Sequence, residues 1–101
     1  MIYLTQLIFI KAGKEAIFHQ FENLAIPLLE KYKGSILYRI RPKAAAFINS
    51  DGENPYEIHF ISFDSEDNFS DFMKDETRRE LLHLKEAAIQ STILVKGIKL
   101  N

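Results

Sequence analysis

Residues 2–10 read "IYLTQLIFI". β-Branched, aromatic and aliphatic side chains in an unbroken run predict a strand. Successive side chains on a strand point to opposite faces. One face therefore carries Ile2, Leu4, Gln6, Ile8 and Ile10, and the other Tyr3, Thr5, Leu7 and Phe9. Both are largely apolar. A strand with one wet face alternates apolar with polar, so both faces of the sheet that holds this strand need cover.

The remaining chain supplies cover for one face. After the turn "KAG", a helix is predicted from Lys14 to Tyr32, with Ile17, Phe21, Leu24, Leu28 and Tyr32 on its apolar side and Phe18, Ala25 and Leu29 widening it. Glu15, His19, Glu22 and Glu30 fall on the other side or its margins. Pro27 lacks an N–H and crowds the carbonyl four residues back, so a kink or break is expected near Asn23. Gly34 stands where a C-terminal cap would. "SILYRIR", 35–41, is the second strand, "INSDGEN" a loop, and "YEIHFISF", 56–63, the third strand. Ser65 caps a second helix, which "KDE" interrupts; Asp75 recaps it, and a further piece runs from Glu76 to about Gln90. "STILVKGIKL", 91–100, is the last strand. The order β-α-β-β-α-β fits an α+β ferredoxin-like sandwich, a four-stranded antiparallel sheet with two helices on one face. Nothing in the chain is left to cover the other face, and a second copy packed about a two-fold axis is the simplest cover. A homodimer is expected.

Bulk properties narrow the function. The 101 residues are of one-domain length, 47% are hydrophobic, and the net charge is −1. With a pI near 6.3, no basic patch for nucleic acid is expected. The absence of cysteine excludes disulfides and thiolate chemistry. The apolar run "LIFI" is too short to span a membrane, and no basic segment precedes it as in a signal peptide, so a cytoplasmic location is expected.

Three stretches, "YKGSILYRI", "FISFDSEDNFSDF" and "LHLKEAAIQSTILVKG", occur in an order that resembles the dimeric α+β barrel superfamily, and within it a widespread family of short bacterial domains of unknown function. In that family the strand after the first helix commonly bears an arginine, the place of Arg39, and the second helix a basic residue, the place of Lys85. The chain departs from the pattern in having one glycine rather than two before that strand, Ser62 in place of an acidic residue, and Phe72-Met73 in place of an aromatic pair. The superfamily includes cofactor-independent oxygenases, haem-degrading enzymes, isomerases and non-catalytic ligand-binding modules. The resemblance implies the fold and leaves the activity open.

The candidate site residues are few. Arg39 and Arg41 leave one face of one strand. A guanidinium presents a planar fork of donors that suits a carboxylate or phosphate. Arg41, next to Pro42, is expected to reach for solvent, whereas Arg39, in mid-strand between Tyr38 and Ile40 (both expected to be buried on the opposite face), needs an anionic partner from ligand or protein. Arg78 and Lys85 are seven apart, about two helical turns, and share a face. Each either reaches a pocket or lies along the apolar surface with its head in water. His59 and Glu57 share a strand face, the start of an acid/base dyad or a structural pair. His19, His59 and His83 lack ligand spacing, so no metal is expected, and His19 and His83 are expected to be solvated. No cofactor is called for. These residues predict binding or conversion of a small anionic molecule, with Arg39 as anchor, Lys85 as second cation and His59 as acid/base. The alternative is a non-catalytic dimeric module in which Arg39 closes an internal ion pair. A one-residue slip between the second and third strands would exchange the faces, so sequence parity leaves the site either in a helix-side pocket or in the dimer interior.

Overall fold

The computed structural model describes residues 1–101. Its elements are β1 (Ile2–Ile10), α1 (Glu15–Ala25), a 3-10 segment (Ile26–Tyr32), β2 (Gly34–Ile40), a 3-10 turn (Ala44–Ala46), β3 (Glu57–Phe63), α2 (Glu66–Met73), α3 (Glu76–Glu80), α4 (Leu82–Ala88) and β4 (Ile89–Gly97). The strands form one antiparallel sheet in the order β2-β3-β1-β4. This is the ferredoxin-like α+β arrangement, with β1 in the interior of the sheet. No helix is long and apolar enough to cross a membrane.

The first helix breaks later than expected. The α-helix runs to Ala25 and passes into the 3-10 segment, with Pro27 in its first turn, where a missing N–H costs least. The buried stripe is Phe18, Phe21, Glu22 and Ala25, whereas Leu24 is exposed. The helix is thus turned by about one residue from the expected face, because Phe18 and Phe21 both seat on the sheet. The left-handed cap is Lys33, at φ 57°, and not Gly34. Gly34 opens β2 in close contact: a Cβ there would stand 2.7 Å from Phe63 Cε1 and 3.1 Å from the Leu29 carbonyl.

Ser65 accepts from the Asn68 N–H and starts α2; Asp75 accepts from the Arg78 N–H and starts α3. Asp75 is buried and also accepts from the Tyr32 hydroxyl and from Lys31 Nζ, tying α3 to the 3-10 segment. The final helical piece, expected to run unbroken, is divided at Leu81.

A bulge in β2 settles the face question. Ile36 pairs with Ile61, but Tyr38 pairs with Phe60 and Arg39 with His59, so Leu37 is extra. The insertion exchanges the parity of the strand. Arg39 thereby joins His59 and Glu57 on the helix side. Tyr38 and Ile40 are not buried in the chain; they stand exposed on the outer face, with Ile93 and Val95 of β4.

The helix-side core has two centres. One is Ile2, Leu4, Leu29 and Phe63; the other is Ile8, Ile10, Phe18 and Ala88. Between them, in the middle of the sheet, Gln6 pairs with His59. Polar side chains at this level hold the two apolar centres apart, and a cavity opens there.

Candidate functional site

Glu57 is the fixed point of the site. Its residue is 0% exposed. Oε2 accepts from Arg39 Nε at 2.9 Å and from His59 Nε2, and Oε1 accepts from Arg41 Nε at 2.7 Å. Burial alone would raise its pKa, but the hydrogen bonds from His59, Arg39 and Arg41 together outweigh this and lower it to about 2. Arg41 is therefore not simply a solvated rim residue: its outer portion is wet and lies over the Tyr56 ring, while Nε holds a buried carboxylate. Arg39 finds its anion within its own chain, and neither Arg39 nor Glu57 lines the cavity. The expected ligand anchor is thus occupied by an internal ion pair.

His59 does face the cavity. Glu57 binds its Nε2, whereas Nδ1 has no protein partner and is not sealed. A carboxylate that accepts the hydrogen bond from Nε2–H leaves the Nδ1 lone pair without a protein partner.

The cavity has a volume of about 170 Å³ and is mostly apolar; its polar lining is Gln6, Glu22, His59, Arg78, Lys85 and Thr92. An apolar cavity of about 150 Å³ accepts one benzene, so the space suits a ligand of about six to eight non-hydrogen atoms. Arg78 and Lys85 both line it although α3 and α4 are separate. Arg78 packs over the Phe72 ring, with Nη1 3.5 Å from the Met73 carbonyl. Burial lowers the pKa of each, and for Lys85 the nearby Arg78 charge lowers it further, with Glu22 and Glu86 opposing. Neither cation is ion-paired with a carboxylate.

The sequence reading placed Glu22 at the polar margin of its helix. It is buried, lines the cavity, and lies 3.7 Å from His59 Nε2. The signal that could have found it is the spacing Phe18, Phe21, Ala25, a stripe on which Glu22 also falls. His19 was expected to be solvated; it is partly buried, with Nε2 2.7 Å from the Tyr56 hydroxyl. His83 is exposed and meets only the Glu80 carbonyl.

One atom from each of Glu22, Glu57 and His59 lies within 4.8 Å of the others. The histidine thus meets two glutamates rather than the other histidines. Both Glu57 oxygens already accept from guanidinium groups, and Lys85 and Arg78 add positive charge nearby. This chemistry suits proton transfer around an imidazole better than a divalent-cation cage.

No family model matches the sequence, and no curated protein matches it. Solved structures do match. A protein of unknown function from Rhodopseudomonas palustris superposes with a TM-score of 0.84 at 15% identity, over 99% of this chain and 82% of that one. An antibiotic biosynthesis monooxygenase gives 0.69 at 16% identity, over the whole of both chains. A dimeric protein of unknown function and ferredoxin-like fold from Bacteroides fragilis gives 0.66 at 14% identity, over 95% of this chain and 93% of that one. At these identities the likeness establishes the fold, which is the one the sequence order implied.

Proposed function

We propose that the protein binds, and acts on, a small organic anion in the cavity between sheet and helices. The observation that carries this reading is the pair Arg78 and Lys85: two cations half withdrawn from water, lining one cavity, with no carboxylate on either. A bound carboxylate would supply the missing charge, and the apolar walls would take its hydrocarbon part. His59, held by Glu57, is the acid/base group on the opposite wall. Arg39 and Arg41 act at one remove, by keeping Glu57 ionised and in place.

The test is a thermal-shift panel of short aliphatic carboxylates and inorganic phosphate on the parent and on Lys85→Met. Stabilisation of the parent by carboxylates, lost in Lys85→Met, supports the reading. Equal shifts in both, or none in the parent, overturn it.

The second reading, a non-catalytic dimeric module, is favoured by one observation: the Arg39–Glu57–Arg41 cluster is complete without any ligand. In both readings the active form is a homodimer. Its interface is the outer sheet face, where Tyr38, Ile40, Ile93 and Val95 are exposed on the single chain. A contiguous apolar patch of this kind marks an interaction surface, and the dimeric relative of the same fold supports a second copy as the cover.

A further inference from the structure

We propose that Glu22 completes this site as its proton donor, so that the cavity takes a short oxo-carboxylate: the Glu22 carboxyl holds the ligand's carbonyl oxygen while His59 Nδ1 exchanges the proton on the carbon beside it. The inference rests on the anion reading above and adds the ligand class and the reaction.

Glu22 is 5% exposed, yet it makes no hydrogen bond; its one charged neighbour within 4.0 Å is His59 Nε2, at 3.7 Å. Its oxygens are not sealed in protein, and the residue lines the cavity. A nine-tenths-buried carboxyl with no donor of its own is left to hold a ligand in the cavity that it lines. The charged groups around it come from every neighbouring element: His59 and Glu57 from β3, Arg39 from β2 and Arg41 just beyond its end, Arg78 from α3 and Lys85 from α4. Burial is the largest influence on Glu22 and raises its pKa. Glu57 adds to this, while His59, Arg39 and Arg41 pull the other way without reversing it.

Two carboxyl groups thus meet one imidazole nitrogen, Nε2, in surroundings that push them in opposite directions, Glu57 toward the ionised form and Glu22 toward the protonated one. Groups whose surroundings drive them apart in this way divide the acid and base roles between them. Glu57, as the carboxylate, accepts the hydrogen bond from Nε2–H of His59 and leaves Nδ1 as the base, and protonated Glu22 would offer an O–H. A ligand that satisfies every group has an anionic end for Lys85 and Arg78, a hydrogen-bond acceptor for Glu22, and an acidic C–H for His59. An oxo-carboxylate of about eight non-hydrogen atoms has all three and fits the volume.

The chemistry balances without an oxidant or a cofactor. The C–H bond beside the carbonyl breaks, and its proton passes to Nδ1. The electron pair becomes the C=C bond of an enol, and the carbonyl oxygen takes the Glu22 proton. Reversal returns a proton to the same carbon and the enol O–H proton to Glu22, so a solvent-derived proton replaces the one removed.

The experiment uses 4-oxopentanoate and, as the analogue without the carbonyl, pentanoate. Affinities are measured by NMR titration, and deuterium uptake beside the carbonyl is followed in heavy water. The parent should bind 4-oxopentanoate at least tenfold more tightly than pentanoate and catalyse deuterium uptake. Glu22→Leu should bind both equally. Glu22→Gln, which still donates a hydrogen bond and is nearly isosteric, should keep the preference but slow uptake by about a hundredfold or more. A parent that binds neither acid overturns the anion reading and this inference with it. A parent that binds both acids equally leaves the anion reading standing and overturns the role of Glu22, as does a Glu22→Gln protein that exchanges at the parent rate. The Gln variant keeps the test decisive if the Leu variant fails to fold.

Discussion

Arg41 donates from Nε to Oε1 of Glu57 at 2.7 Å, although 46% of its side chain is in solvent. Arg39 takes the other oxygen, and the two guanidinium groups hold a carboxylate that has no contact with water. The carboxylate in turn holds Nε2 of His59. The order of dependence therefore runs from the surface inward: strand β2 fixes Glu57, Glu57 fixes the imidazole, and the imidazole faces the cavity.

Glu57→Gln should destabilise the protein by on the order of 3 kcal/mol. The figure follows from a carboxylate moved from 4.5 to about 2, roughly two and a half pKa units at about 1.4 kcal/mol each. Arg39→Met should also destabilise, because it removes a donor from a buried charge. Arg41→Ala should cost about 1 kcal/mol, more than an ordinary surface change, since Glu57 keeps two donors. Urea denaturation of the three variants checks this; parent-like midpoints would show that Glu57 is not held as described.

Stability should respond to pH with opposite signs at the two glutamates. Glu57 has a lowered folded-state pKa, so the unfolded chain binds more protons; its contribution is present above the ordinary carboxylate range and is lost as the pH falls toward about 2. Asp75, lowered to about 2 chiefly by the Tyr32 hydroxyl, acts in the same direction. Glu22 has a raised folded-state pKa, so the folded chain binds more protons and stability falls as the pH rises through the interval above its ordinary value. Glu22→Gln should therefore be more stable than the parent at neutral pH and lose that advantage in acid. Denaturant midpoints from pH 3 to pH 8 give the comparison. A constant difference would mean that Glu22 does not titrate abnormally.

Gly34→Ala should cost about 1–3 kcal/mol, because the added methyl meets a buried ring and a backbone carbonyl that have little room to move. Lys33→Gly should be neutral or stabilising by up to about 1 kcal/mol, since Lys33 is the one non-glycine residue in the left-handed conformation that glycine tolerates freely. Thermal melts of both variants test the assignment; the reverse order would put the cap at Gly34.

In solution the protein should sediment as a dimer at micromolar concentration, with an interface above roughly 1,600 Å². Tyr38→Glu together with Val95→Glu should give a folded monomer, as both residues lie on the exposed sheet face. A monomeric parent would contradict this assembly.

Much of this was legible in the sequence. The two apolar faces of β1 predicted a sheet that needs cover on both sides; the helices cover one, and the other stands exposed on the single chain. Ser65 and Asp75 marked helix starts by their capping chemistry. The parity of Glu57 and His59 put them together correctly. The bulge at Leu37 was not legible, since an inserted residue leaves no hydrophobic signal, yet it decides that Arg39 meets Glu57. Glu22 was hidden by its own charge: a glutamate on an amphipathic helix reads as solvated until the packing of Phe18 and Phe21 turns it inward. Arg41 was misread for a similar reason, because its exposed position says nothing of where Nε points.

The most direct test of the central claim is side-chain chemical-shift mapping of the protein with 4-oxopentanoate. Occupation of the helix-side cavity should move the His59 ring and the methyl groups of Ile36, Thr92 and Leu94, all of which line it, and leave the methyl groups of Ile40, Ile93 and Val95 unmoved. Shifts confined to those outer-face methyl groups, or no shifts at millimolar acid, would contradict an anion site between sheet and helices.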